Sequence, residues 1–578
     1  MLPSFWSGDL LTLKHVLLCS QSLVYLIAFS SLYWQIPGLY GEKGLLPVAT
    51  KLDSNDYVWQ SSFPVLLSLH RYLNLVPSRA FQLLCLIGIV LSFVTACSRR
   101  SRNAISYFLL YLLYLNAQRV GGIFLWYQWD TLLLESGFLM AFLAAFSDSA
   151  LDSIAVFLIN WLMCRLMFAS GVVKLQSGCP AWWGLTEMEV WYKTRQNHPF
   201  SVGHPLRVSM YPHSYCVVFP SYAGMVQKAV YFINILYRDI PSTCLSVAFI
   251  IVEEVRVLST GNLPVIDLFS VLLMVLIMLT GNYNFFNFSI IVISLPMLEN
   301  GMISYWMSDS SNSSRKLFHG AFAVALAVPL FSVSIVPFTV IDKGIYDKIP
   351  EALKNVYYQI DPYQIANSYG LFRTMTGLNG RPEVIVEGAV DHEGPWKEFQ
   401  FYSKPGNVSE APVFVLPHQP RLDWQMWFAA LGSYRYNPFF LSLVHHLMEA
   451  TPEVLRLMSK TQPFKETPRF IRAKLYHYRY TPFSEKVDWW TRDLQYEYMP
   501  VFPRNDETLV NYLKKTGMLL TKNYRSTGIL DGYLSKLHAI VYAMDQARFV
   551  WGVLFASIVV IVSNLLLNSF HYFPIARS

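Results

Sequence analysis

Long apolar runs separated by short polar breaks fill the first 341 residues, and a mixed, aromatic-rich polar pattern then holds until one last apolar run. A helix that crosses a bilayer needs about 20 apolar residues. Runs near or above that length lie at 10–35, 80–97, 104–118, 131–146, 153–175, 225–252, 264–280, 285–298, 317–341 and 549–570. The pattern therefore predicts a multi-pass α-helical membrane bundle of about ten spans. It occupies residues 1–341, with a C-terminal anchor at 549–570 and a short tail at 571–578. Arg238-Asp-Ile-Pro241 interrupts the sixth run and could divide it into two half-helices.

Residues 342–548 read as an α+β domain with a β-sheet core. Glu383-Val-Ile-Val-Glu387 alternates, and Trp396-Lys-Glu-Phe-Gln-Phe-Tyr402 alternates again after a Gly/Asp/Pro turn, which predicts a hairpin. Arg472, Lys474, Tyr476, Tyr478 and Tyr480 share one side of a third strand, and Leu494, Tyr496 and Tyr498 pattern a fourth. Short helices are expected at 422–431, 438–449 and 452–459. About 200 residues is enough to bury a core.

Composition agrees with a membrane protein. Hydrophobic residues make up 53% of the chain and charged ones 14%, against about 25% charged in soluble domains. Mean hydropathy is +0.33. The net charge of +7 forms no face suited to nucleic acid, because the basic residues cluster at helix ends. The sharpest cluster is Arg99, Arg100 and Arg102, and positive charge in a short loop marks the cytosolic side. Counting spans from it puts the N-terminus and the tail in the cytosol. Loops 36–79 and 176–224 and the 342–548 domain then face the lumen. In that topology Asn407, in the sequon Asn407-Val-Ser409, is the candidate for glycosylation. The first apolar run is too long for a cleaved leader and reads as an anchor, and no Lys-Asp-Glu-Leu-type terminus is present.

The search for chemistry yields little. No nucleophile elbow, metalloprotease helix, phosphate-binding loop or dinucleotide fingerprint is found. His198, His204 and His213 fit no metal spacing, so neither metal nor cofactor is expected. Seven cysteines precede residue 245, and only Cys179 and Cys216 share a polar loop in which they could pair. Charges inside apolar runs are costly and flag function or helix pairing. Here they are Asp130, Glu135, Arg165 and Lys174, and Arg165 is expected to pair with Asp130 or Glu135.

One polar block stands out, Pro417-His-Gln-Pro-Arg-Leu-Asp-Trp-Gln-Met-Trp-Phe-Ala-Ala-Leu431. Pro417 and Pro420 stiffen the entry to a helix. Asp423 lies in its first turn, where a carboxylate is favoured. Trp424, Trp427 and Phe428 fall on one apolar stripe, and Arg421 could clamp Asp423, Glu449 or a partner's carboxylate. These five residues are candidates either for anchoring the domain or for contacting a client.

The same block resembles the lipase maturation factors, and so do Tyr127-Gln-Trp-Asp-Thr-Leu-Leu-Leu-Glu135, Phe168-Ala-Ser-Gly-Val-Val-Lys174 and Leu279-Thr-Gly-Asn-Tyr-Asn-Phe-Phe-Asn287. Asn367-Ser-Tyr-Gly-Leu-Phe-Arg373, Arg381-Pro-Glu-Val-Ile-Val-Glu-Gly388 and Lys404-Pro-Gly-Asn-Val-Ser409 add to the likeness. It is nearer to the type-2 branch than to type 1. The resemblance implies a non-enzymatic factor of the endoplasmic-reticulum membrane. Its clients would be secreted, homodimeric lipases, handled by the luminal C-terminal domain, and membrane lipid would be its other partner. The chain departs from the family after Trp182-Trp-Gly-Leu-Thr186, where Glu189-Val-Trp-Tyr-Lys-Thr-Arg195 replaces the usual His-Tyr-Glu-Thr-Gln segment. The alternative is a membrane-embedded enzyme or transporter that uses the charged bundle, in a carboxylase-like architecture.

Overall fold

The computed structural model describes residues 10–53, 66–145, 149–179, 284–298, 314–370, 379–481, 488–520 and 528–571, with a few more at 271–278 and 524. The predicted runs at 225–252 and, for the most part, 264–280 lie outside the described residues, as do Cys216, His198, His204 and His213.

The helical part is built from α1 (Leu10–Tyr40), α2 (Pro77–Cys97), α3 (Ala104–Gly121), α4 (Gln128–Ala145), α5 (Ser149–Gln176), α6 (Phe285–Ser294) and α7 (Ser314–Thr339). Local signals set several boundaries. Pro77 opens α2, where a missing N–H costs nothing. Asn103 caps α3 by accepting from the Ser106 amide at 3.1 Å, and Asn284 caps α6 through the Phe286 amide at 2.8 Å. At 1.5 Å per residue, the 31 residues of α1 reach roughly 46 Å, longer than a bilayer core.

Among the described residues four helices are long and apolar enough to cross a membrane: Leu13–Tyr40, Pro77–Cys97, Asp152–Lys174 and Gln546–Leu567. The expected ten are thus not all found. The runs at 104–118 and 131–146 do form helices, but α3 and α4 carry Asn116, Gln118, Asp130 and Glu135 on their buried sides. Their apolarity is diluted because they pack on protein. The central helix is α1, with 78% of its span buried, and the last helix is peripheral, with 17%.

The C-terminal part holds α8 (Glu351–Ile360), β1 (Arg381–Ala389), β2 (Lys397–Glu398), α9 (Arg421–Ala430) and α10 (Pro438–Met448). It continues with β3 (Phe470–Tyr480), β4 (Trp490–Pro503), α11 (Glu507–Lys515), α12 (Ile529–Tyr542) and α13 (Gln546–His571). The strands form one antiparallel sheet in the order β2-β1-β3-β4. The expected hairpin is present, but its second arm shrinks to two residues. Beyond it the Phe399 amide still donates to the Val386 carbonyl at 2.9 Å, and the rings of Phe399 and Phe401 turn into the core. The helix expected at 452–459 is a single turn, Pro452–Leu455.

Val384, Val386, Ile471, Ala473 and Leu475 face α9 and α10 and join one contiguous apolar core that runs on into the bundle. Ile385, Tyr478 and Trp490 form a smaller cluster on the opposite face. Close backbone approach joins the two parts. A Cβ on Gly38 of α1 would stand 2.5 Å from the Glu453 carbonyl and 2.6 Å from Leu457. The sheet sits against the bundle end that holds Tyr40, Pro77 and Gly121. The Arg99–Arg102 loop lies at the other end, where Asn564 of α13 donates to the Cys97 carbonyl.

Candidate functional site

Where the two parts meet, a seam of buried polar groups runs between α1, α4, α5 and the segments 367–369 and 418–425. It is built first from backbone. Pro417 and Pro420 have no N–H, and the His418 amide bonds to the Val415 carbonyl at 2.9 Å. Two amides remain in 417–421, and α1 takes both. Ser31 Oγ accepts from the Gln419 amide at 3.0 Å, and Gln35 Oε1 accepts from the Arg421 amide at 2.8 Å. Gln35 Nε2 donates back to the Gln419 carbonyl at 2.8 Å. Residues 31 and 35 stand one helical turn apart, so a single face of α1 reads the extended segment.

His418 continues the seam, with Nδ1 3.0 Å from Ser31 Oγ and Nε2 2.9 Å from Gln546 Oε1. Burial pushes its pKa down to about 4, against the opposing pull of the Gln546 hydrogen bond. A neutral ring facing an amide oxygen carries its proton on Nε2.

Arg421 opens α9 and is fully buried. Its guanidinium grips Asp130 of α4 with both arms, Nη2 to Oδ1 at 2.9 Å and Nη1 to Oδ2 at 3.1 Å. Nη1 also donates to the Phe124 carbonyl. The Tyr114 hydroxyl accepts from Nη2 at 3.3 Å and donates to Asp130 at 2.5 Å. Bidentate pairing gives this contact both strength and direction. The partner is therefore neither Asp423 nor Glu449, and Glu449 is instead taken by Arg504 at 3.1 Å. The expected clamp exists, but it joins α9 to the bundle because Arg421 points out of its own domain.

One turn along α4, Glu135 forms the second tie. Its Oε1 pairs with Arg165 of α5. Its Oε2 accepts from the Asn367 amide at 2.9 Å, Asn367 Nδ2 at 3.1 Å and the Tyr369 hydroxyl at 2.8 Å. The Arg165 guanidinium also donates to the Asn367 carbonyl at 3.3 Å. Lys174 is buried farther along α5 and donates to the Ser170 carbonyl at 2.8 Å.

Asp423 does not cap its own helix. Its Oδ1 accepts from the Ser403 amide at 2.7 Å, the Lys404 amide at 2.9 Å and Ser403 Oγ at 3.1 Å. Burial raises its pKa to about 6 even though these donors oppose the shift. Lys404 in turn lies 3.2 Å from Glu383 on β1, so α9 is tied to the sheet as well as to the bundle.

Trp424, Trp427 and Phe428 do form a stripe, but it is not the face that α9 buries. The buried side carries Arg421, Leu422, Gln425, Met426, Ala429 and Ala430. Trp424 meets Trp129 edge-on at 5.4 Å and Phe428 stacks on Tyr127 at 5.5 Å, while Phe428 stays 38% exposed. Arg381 sits over the Trp427 ring at 6.0 Å. The stripe is a half-open aromatic rim beside the seam. Asn407 is exposed and accepts from the Ser409 amide at 3.2 Å. Cys179 is buried.

Sequence reasoning missed Ser31, Gln35, Tyr114, Asn367, Tyr369 and Gln546. The available signal was polar residues on one face of otherwise apolar helices. Both carboxylates of α4 have donors on each oxygen, so the arrangement fixes position. Among the described residues no group of three or more His, Cys, Asp or Glu side chains could hold a metal ion.

Residues 12–305 match the family described as lipase maturation factor transmembrane domain, and residues 365–500 match the lipase maturation factor C-terminal domain. Lipase maturation factor 2 of Gallus gallus is 32% identical, over 87% of this chain and 83% of that protein. Lipase maturation factor 2 of Homo sapiens is 29% identical, over 94% and 90%. Lipase maturation factor 1 of Mus musculus is more distant, at 24% over 88% and 90%. No solved structure matches the chain.

Proposed function

The chain belongs to the lipase maturation factor family, and from that premise we propose that it assists the folding, assembly and secretion of lipases, homodimeric ones among them, from the endoplasmic-reticulum membrane. One observation carries the mechanism. The sheet-bearing part is fastened to the bundle end opposite the Arg99–Arg102 loop by the buried Arg421–Asp130 ion pair and by the hydrogen bonds of Asn367 and Tyr369 to Glu135. Positive loops stay cytosolic, so the sheet faces the lumen, where secreted clients fold. In this reading Arg421 and Asp423 anchor the luminal part, and Asp130, Glu135 and Arg165 are the bundle's side of the anchorage. The half-open rim of Trp424, Trp427 and Phe428 is available to apolar surface on a client that has not finished folding.

The topology is tested at Asn407. An endoglycosidase-sensitive mass shift that Asn407→Gln abolishes supports a luminal sheet, and a shift that survives the substitution contradicts it. The client role is tested in cells lacking the endogenous protein. Trp427→Ala is expected to leave the protein level unchanged while secretion of active dimeric lipase falls. If secretion falls only in step with the amount of folded protein, the rim does not contact clients. Asp130, Glu135 and Arg165 are engaged in the seam, and no observation favours the transporter or enzyme alternative.

A further inference from the structure

Helix α12 turns a row of large apolar residues outward. Its outward residues Ile529, Tyr533, Leu537 and Ile540 are 82%, 68%, 38% and 65% exposed. At about 100° per residue they fall within an arc of roughly 80°. Met544, 44% exposed, extends the same line past the helix end. The inward face buries Leu534 and Val541 and carries polar groups beside them. Asp531 lies 3.9 Å from Arg79 of α2, Ser535 Oγ accepts from Arg79 at 3.2 Å, and His538 is buried against Tyr33 of α1 at 5.2 Å. A surface helix in water keeps its outward face polar.

The neighbours say what covers the stripe. The peripheral spanning helix α13 begins three residues after α12 ends and turns Trp551, Phe555 and Val562 outward, 41%, 67% and 47% exposed. On α2, which α12 packs against, Ile87 and Val90 are 47% and 55% exposed. The Trp34 indole donates to the Met544 carbonyl at 3.2 Å and pins the α12–α13 corner to α1. The apolar stripe is thus continuous with surface that faces acyl chains on either side. Lys536 stands in the stripe, and its long stem lets the ammonium reach the headgroup layer.

We propose that α12 is an in-plane membrane helix, lying in the headgroup–acyl boundary of the leaflet beneath the sheet with Ile529, Tyr533 and Ile540 buried in lipid. Such helices have an apolar face sunk about 5–10 Å into that boundary. The bilayer then fixes the C-terminal part through α12, in addition to the protein seam.

The test uses the full chain in phosphatidylcholine nanodiscs. The photo-reactive residue p-benzoylphenylalanine replaces Tyr533, Ile540, Phe555 or Leu494, one at a time. Phe555 on the spanning helix reports lipid, and Leu494 on β4, 55% exposed, reports water. After irradiation, phospholipid adducts at 533 and 540, in yield comparable to 555 and absent at 494, are the expected result. Absence of phospholipid adducts at 533 and 540 while 555 gives them overturns the proposal. So does a cross-link to a second protein chain at those two positions in place of lipid.

Discussion

Two arginine–carboxylate pairs, one within the sheet and one between the sheet-bearing part and the bundle, make a useful contrast. Arg479 on β3 meets Asp493 on β4 at 2.5 Å, with the two side chains 44% and 58% exposed. Arg421 meets Asp130 at a longer 2.9 Å, with side chains 1% and 0% exposed. Distance ranks the surface pair first, but burial reverses the order. In water an exposed pair is worth about 0–1 kcal/mol. A buried pair that loses one member strands a charge and costs about 3–5 kcal/mol. The molecule thus places its committed charge pairing where the two parts meet, and the exposed pair on the outer strand contributes little.

The largest break in that contrast should come from Arg421→Ala or Asp130→Ala. Each is expected to cost about 3–5 kcal/mol, seen as a lower thermal midpoint in detergent. The double variant Asp130→Leu/Arg421→Met should recover much of the loss, because no charge is left stranded. Equal losses in the single and double variants would show that packing alone joins the parts.

Met426, fully buried beneath α9, sharpens the same point from the apolar side. Met426→Ala should cost about 2–5 kcal/mol. A loss no larger than that of an exposed residue would mean that α9 sits on the bundle without a packed core.

Acid should attack the buried parts selectively. His418, His446 and His538 all have pKa values pushed down to about 4, in each case first by burial. Between pH 6.5 and 4 the unfolded chain binds more protons than the folded one. The stability these rings contribute is therefore complete above pH 6.5 and falls as the pH drops toward 4, by about 1.4 kcal/mol per unit for each ring. Asp423, raised to about 6, opposes this. Its share is present below its unfolded value and lost as the pH rises through 6. Three histidines outweigh one carboxyl, so melting at pH 5 should occur below melting at pH 7. His418→Gln should flatten that slope, and an unchanged slope would remove His418 from the account.

The smallest effect belongs to the surface. Arg479→Ala should shift stability by no more than about 1 kcal/mol, and raising the salt concentration should abolish even that.

Hydrophobic periodicity located the long apolar helices among the described residues because each must bury or present a continuous apolar face, whereas the shorter α8, α11 and α12 were not expected. Period-two alternation found β1, β3 and β4 for the same reason. The seam was half legible. Asp130, Glu135 and Arg165 stood out as charges in apolar runs, and Arg165 does pair with Glu135. Arg421 stands out in the sequence, but the partners it suggests are Asp423, Glu449 or a client's carboxylate, since Asp130 lies 291 residues away and no local pattern reports such a distance. The stripe of Trp424, Trp427 and Phe428 is legible in the sequence, but the side of α9 that is buried is not, since it is marked by an arginine and two alanines that owe their place to tight packing.

The grip of Ser31 and Gln35 on residues 418–421 also has a consequence in time. Gln35 and Arg421 are 386 residues apart. At about 5–20 residues per second of synthesis, α1 is made roughly 20–80 s before the segment it reads. Helix packing takes a small fraction of that interval, so the polar face of α1 waits in a bundle that is otherwise assembled. The seam therefore closes only once translation has reached the C-terminal part, and α12 and α13 dock on α1 later still.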